Sequence, residues 1–486
     1  MRTTEERDGM RDEDLLFMPA TQAAALIRAR KLSPVEYLDA VLAQAAAQQG
    51  RCNAFVTLDA EGARAQARQA EQEVMDGKPL GRLHGLPVSV KDLFATAGVR
   101  TAYGSAMRAD HVPDQDDVLV TRIRAAGGVI FGKTTTPEYG HKGITDSPVS
   151  GVTRNPWNTE RTSGGSSGGA GVAAALGIGP LALGSDGAGS VRIPAAACGI
   201  VGLKPTTGAM PFQDTRDVFG NNVSGGPMTR TVGDAALMLA ALRGPDPGDP
   251  WSLNAPPPGR IHPGLVSQDL SGIRIGVIRR MANPRLAADM AANMDQTVAV
   301  LAARGAIIET VDDAIDWIEY PGRIIYLASF FVALRGDVAR WGNRMDPSLL
   351  TFIERGSAFS LADLRESQLA RTGLFRAVQA LFTRYDFLLS PTLTRTALPA
   401  DFDAAWGQVV VDGEECGITR QGWTSYCYPF NLTGHPAASF PSGWGADGLP
   451  TAVQVIGPWW SDESVLRLGA VLEQDQPWAH RRPPMG

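Results

Sequence analysis

"TSGGSSGGAGVAAALG", residues 162–177, decides how this chain is read. A run of glycine and serine is ordinarily a flexible linker. Here it passes without a break into an alanine-rich stretch that favours helix. A Walker phosphate loop needs a lysine at its end, and GGSSGGAG has none. A dinucleotide fingerprint follows directly on a strand, and the preceding RNPWNTERT does not read as one. What remains is a turn whose small residues let the backbone approach another group closely.

Downstream, "GSDGAGSVRIP" (184–194) repeats the pattern, with glycines around a serine and then a strand-like VRI ending at Pro194. A buried helix is expected between the two clusters. Successive backbone N–H groups in such a turn can form an oxyanion hole beside a serine.

A serine nucleophile needs a base. The histidines are His84, His111, His141, His262, His435 and His480. They show no metal-ligand spacing, and none has an evident partner aspartate in a hydrolase elbow. Each reads as a surface or satisfied core residue. Lys91, inside the apolar "LPVSVKDLF", is the alternative. Alternation puts Val88, Val90 and Asp92 on one face, with Ser89, Lys91 and Leu93 on the other. Burial there disfavours the ammonium form, leaving an amine able to accept a proton.

The chain has 486 residues, 44% hydrophobic and 20% charged, enough for a large core. A net charge of -6 without long like-charge runs argues against a nucleic-acid or anionic-membrane partner. Cys52, Cys198, Cys416 and Cys427 form no C-x-x-C pair and read as free, mostly buried thiols. The first residues are charged, without an apolar signal core. No apolar window is long enough to span a bilayer. The chain reads as soluble and cytoplasmic.

Strands alternating with helices predict an α/β fold with a mixed central sheet covered by helices on both faces. Residues 1–12 read as a disordered tail and 13–480 as one domain. Residues 21–50 read as two helices split at Ser33-Pro34, with Ser33 as N-cap. Within the domain, 60–243 carries the motifs and 244–272 is a Pro/Gly loop. Residues 284–385 form a helical excursion near the substrate entrance, and 386–480 return to the sheet. Residues 210–226 read as a loop able to gate the cleft.

GGSSGG, GSDGAGSVRIPAAACGIVGLKPT and VSVKDL together resemble the amidase signature family. VTRNPWN, DFLLSPT and PFNLTGHPAASFP extend the resemblance over about residues 20–480. It implies an amide-cleaving serine hydrolase without metal or cofactor. By the same match Ser190 is the nucleophile, Ser166 the bridging serine after a cis Gly165–Ser166 bond, and Lys91 the base. The implied oxyanion donors are the N–H groups of Gly187, Ala188, Gly189 and Ser190. Gly140 is placed near the substrate. Ser167, Asp186 and Arg192 are implied to brace the site. Where the family often reads GTDIGGS, this chain reads GSDGAGS.

Within the family, the chain is similar to bacterial aryl acylamidases, urethanases and cyclic-oligoamide hydrolases. This implies a small, neutral aryl amide or carbamate substrate, and a homodimer is left open. Tyr139, Ile144, Met210, Phe212, Phe219, Trp423, Tyr426, Tyr428 and Phe430 are candidates for the cleft, most of them expected to be core. The rival is the glutamine-hydrolysing A-type subunit of an amidotransferase complex. Those subunits place an acidic residue shortly before NLxGxPA, where an ungapped count here finds Thr424.

Overall fold

The computed structural model describes residues 12–213, 215, 217–257 and 269–485. Residues 1–11 of the expected tail and 258–268 of the Pro/Gly loop lie outside the described residues, as do 214 and 216 of the expected gate. Residue 12 opens a short helix, Asp12–Leu16.

Eleven strands form one hydrogen-bonded sheet. In chain order they begin with Phe55–Leu58 (β1), Pro87–Lys91 (β2), Val129–Thr134 (β3) and Leu181–Asp186 (β4). Val201–Lys204 (β5), Ser224–Thr229 (β6), Arg274–Val277 (β7) and Ile307–Thr310 (β8) follow. Phe387–Pro391 (β9), Ala437–Trp444 (β10) and Pro450–Ile456 (β11) complete it. Their order in space is β1-β3-β2-β4-β6-β5-β10-β11-β9-β7-β8.

β3, β2 and β4 run parallel to one another, as do β9, β7 and β8, while the strands between these blocks pair antiparallel. The sheet is therefore mixed, as expected. β2, β3, β4, β9 and β11 are buried at every residue. Both of their faces are covered, so alternation along β2 does not sort inside from outside, and Lys91 and Asp92 are equally buried.

Local chemistry explains most element boundaries. Ser33 Oγ accepts the N–H groups of Val35 and Glu36, starting the helix Pro34–Cys52 with proline in its first turn. The helix Gly168–Ala175 connects the two small-residue clusters and is buried throughout. Its neighbours come too close for side chains. A Cβ on Gly168 would lie 2.3 Å from Thr145 Oγ1, and one on Gly169 would lie 2.4 Å from Ala54 O. The opening stretch is thus a close-packed helix start rather than a tether.

Two expectations need correction. VRIP is not a strand: Arg192–Cys198 is a helix, because the Asp186 carboxylate takes the N–H groups of Val191 and Arg192 at its start. Residues 224–226 belong to β6 rather than to a loop, paired on one side with β4. Helices Glu319–Leu334, Pro347–Ser357 and Leu361–Leu381 dominate residues 284–385, which also contain β8. The four cysteines are buried and free. No helix among the described residues is long and apolar enough to cross a membrane.

Leu389 lies in strand β9, third from one edge of the sheet, and is fully buried in the main core. Leu389→Ala is expected to destabilise the fold by about 2–5 kcal/mol in denaturant unfolding. Leu361→Ala, at an 83% exposed position, should stay within about 0.5 kcal/mol.

Candidate active site

β2 ends at Lys91, and β4 ends at Asp186 beside it. The helix start at Ser166–Gly168 and the turn 187–190 meet at these strand ends. Lys91 Nζ lies 2.7 Å from Ser166 Oγ, 3.0 Å from Ser185 Oγ and 3.3 Å from Ser185 O. Burial pulls its pKa down to about 7, against an opposing pull from Asp186. A neutral amine has two N–H bonds and one lone pair. With the N–H bonds given to Ser185 Oγ and O, the lone pair faces the Ser166 hydroxyl.

The Gly165–Ser166 peptide bond is cis. A Cβ on Gly165 would meet the Ile144 backbone at 2.8 Å. Ser167 joins the two serine turns. Its N–H donates to Ser190 O at 3.1 Å, its Oγ donates to Ser185 O at 3.2 Å, and it accepts from Ser185 N–H at 3.3 Å. Gly140 has φ +69, and a Cβ there would lie 3.1 Å from Ser166 Oγ. Its carbonyl and that of His141 are held by the Tyr326 hydroxyl.

The turn 187–190 is shaped by Asp186, which is fully buried. Asp186 Oδ1 accepts from Gly189 N–H at 2.6 Å, Arg192 Nη2 at 3.0 Å and Asn431 Nδ2 at 2.9 Å. Its Oδ2 accepts from Arg192 Nε at 3.0 Å. Burial pushes this carboxyl up, but Arg192 and Asn431 together hold it well below the usual carboxylate range. Arg192 is buried as well, and its remaining donors go to Cys427 O, Gln454 Oε1 and Asn431 Oδ1.

One expected oxyanion donor is already used: Gly189 N–H points at Asp186. Among the described residues, the N–H groups of Gly187, Ala188 and Ser190 have no protein acceptor. These three N–H groups of the turn are left open to an outside acceptor.

Ser190 and Ala188 line a pocket of about 80 Å³. The helix Glu319–Leu334 contributes Arg323, Tyr326 and Leu327, and Pro347–Ser357 contributes Phe352 and Arg355. Arg420, Thr424 and Tyr428 add further wall, with His141 and Lys142 beside Gly140.

Of the nine candidates, Tyr428 lines this pocket. Ile144, Trp423, Tyr426 and Phe430 are buried in satellite cores, and Met210 in the main one. Phe212 packs against the main core, Tyr139 packs under the helical cover, and Phe219 is 73% exposed. None of the described residues of 210–226 lines the pocket. That segment is nevertheless tied to the serine turn, because Asn222 Nδ2 donates to Gly187 O at 2.9 Å.

His141 is a pocket residue that sequence reasoning passes over. Its ring nitrogens are taken by Glu138 O and Ser348 Oγ, and burial pulls its pKa down to about 4. Asn431 and Gln454 escape sequence reasoning altogether. The available signal is a polar side chain inside the apolar runs YPFNLTG and TAVQVIG.

A sequence profile of the Amidase family matches residues 36–466. The chain belongs to the amidase signature family. It is 35% identical to an acylamidase of Rhodococcus erythropolis over 98% of both chains. It is 34% identical to the A-type subunit of glutamyl-tRNA(Gln) amidotransferase from Acidothermus cellulolyticus, over 95% of this chain and 94% of that one. The crystal structure of a bacterial aryl acylamidase of the amidase signature family superposes with a TM-score of 0.86 at 30% identity. That match covers 95% of this chain and 97% of the other. This amidase is accordingly an amide-cleaving hydrolase.

Breaking the buried Asp186–Arg192 pair from one side leaves a charge without its partner. Asp186→Asn is expected to cost about 3–5 kcal/mol in denaturant unfolding. A variant as stable as the parent would contradict the bracing role of this pair.

Proposed function

We propose that this amidase cleaves the C–N bond of small aryl amides or carbamates, with Ser190 as nucleophile and Ser166 and Lys91 as its proton relay. The observation that carries the reading is the 2.7 Å contact between Lys91 Nζ and Ser166 Oγ, made by a lysine with no exposed surface. A buried amine near neutrality accepts the Ser166 proton while Ser166 takes that of Ser190. Ser190 Oγ then attacks the carbonyl carbon. The N–H groups of Gly187, Ala188 and Ser190 receive the oxyanion, already oriented before charge develops. Collapse expels the amine, which leaves with the relayed proton, and the acyl group stays on Ser190. Water attacks this ester by the same relay and frees the acid, or a carbonic acid monoester if the substrate is a carbamate.

Aromatic walls at Tyr326, Phe352 and Tyr428 support an aryl substrate. Similarity to the A-type amidotransferase subunits supports a second reading, glutamine hydrolysis. Thr424 lines the pocket at the position where, by ungapped count, those subunits place their acidic residue, and no carboxylate lines the pocket among the described residues. There is thus no anion at hand for the glutamine ammonium.

A fluorophosphonate probe is expected to label Ser190, with labelling lost in Ser190→Ala; modification of another residue would overturn the assignment. The purified protein should release nitroaniline from a nitroanilide and aryl amine from an aryl dicarbamate. Ammonia from glutamine, with neither of these cleaved, would favour the second reading.

Lys91 must be neutral to act, and its lowered pKa makes it so above about pH 7. The kcat/KM of the wild type should therefore rise through about pH 7 and level off in alkali. A flat profile from about pH 6 to 9 would contradict a lysine base. Lys91→Ala should fold normally and lose about 10²–10⁴-fold in rate.

A further inference from the structure

The pocket beside Ser190 is cationic. Lys142, Arg323, Arg355 and Arg420 line it, and no Asp or Glu does among the described residues. Two of the four have their charge answered. Lys142 Nζ pairs with Asp346 at 2.7 Å and also with Asp146. Arg323 Nη2 lies 3.5 Å from Glu319 Oε2.

The other two form no ion pair among the described residues. Arg355 stacks over the Trp406 ring, 3.8 Å from its centroid, and forms no ion pair among the described residues. Arg420 is held between aromatic rings, 4.6 Å from the Tyr428 centroid and 5.6 Å from that of Tyr326. Its Nε is shut off from solvent and has no acceptor. The nearby Glu319 carboxylate gives Oε2 to Arg323 and, at 3.4 Å, to Gln421 Nε2, while its buried Oε1 has no hydrogen-bond partner; its charge acts on Arg420 without a hydrogen bond between them. Two aromatic faces fix the plane of the Arg420 guanidinium without using its hydrogen bonds. A guanidinium fixed this way presents a planar fork that matches a carboxylate.

We infer that the substrate carries a carboxylate, bound by Arg420 with Arg355 in support while Ser190 attacks its amide or carbamate carbonyl. The inference rests on the proposed hydrolysis and changes its substrate class from neutral to anionic. Burial lowers the pKa of Arg420, so an anion entering the pocket also relieves the cost of a poorly hydrated charge. Charged partners buried at a site contribute more than neutral ones, because the unliganded guanidinium is otherwise left unsatisfied.

Three substrates test this: butyranilide, N-butyryl-4-aminobenzoate with its carboxylate on the amine side, and glutaric acid monoanilide with its carboxylate on the acyl side. In the wild type, at least one anionic substrate should exceed butyranilide in kcat/KM by about tenfold or more, chiefly through KM. Arg420→Met should bring that ratio to near one, and Arg420→Lys should restore part of it. Butyranilide cleaved as well as both anions by the wild type would overturn the inference and leave the hydrolytic reading intact. So would a preference that survives Arg420→Met.

A second readout needs no turnover. 4-Acetamidobenzoate should slow fluorophosphonate labelling of Ser190 more than acetanilide does, and Arg420→Met should remove the difference. Equal protection by the two would also overturn the inference. Protection by the carboxylate with no anilide cleaved would instead sustain the anion site and sink the proposed reaction.

Discussion

The site depends on keeping one lysine dry beside one buried carboxylate. Lys91 has no exposed surface, and removing water from an ammonium group pulls its pKa down. Asp186 lies on the neighbouring strand and works in the opposite direction. An unpaired carboxylate there would draw the lysine back to its charged form. The chain prevents this by giving Asp186 to Arg192, with Asn431 and the Gly189 N–H completing its shell. The ion pair therefore keeps the carboxylate occupied and also braces the turn that carries Ser190.

The fold supplies the dryness. Lys91 ends a strand covered on both faces, within a sheet that draws its strands from both halves of the chain. The parallel block β3-β2-β4 brings the ends of β2 and β4 together, so that residues far apart in sequence meet. The buried helix Gly168–Ala175 then sets Ser166 and Ser167 against those ends, which only small residues permit. A second layer, the helices between 319 and 381, supplies pocket walls that the sheet does not.

Much of this is legible in the sequence, and the exceptions have physical reasons. Ser33-Pro34 announces its helix because capping is local chemistry. GGSSGGAG and GSDGAGS mark close approaches because few other residues fit. Lys91 in an apolar strand is a sound signal but not a sufficient one. Lys133, in the equally apolar VIFGKT, is just as buried, yet it donates to Phe94 O, Thr96 Oγ1 and Thr101 Oγ1 and faces no serine of the site. Only the partners, which tertiary structure sets, separate the two lysines. VRIP misleads because its helix is started by a side chain several residues upstream. Most of the aromatic and apolar residues near the motifs in sequence turn inward to cores, as expected. The walls instead come from Arg323, Tyr326, Phe352 and Arg355, on helices that carry no motif.

The central claim is that Lys91 is uncharged at working pH because it is buried. The most direct measurement is NMR titration of isotope-labelled lysine side chains in the intact protein, with the Lys91 signal assigned by its loss in Lys91→Ala. The account predicts a midpoint near pH 7, well below the ordinary 10.5. A Lys91 that stays an ammonium ion up to that ordinary value would contradict it.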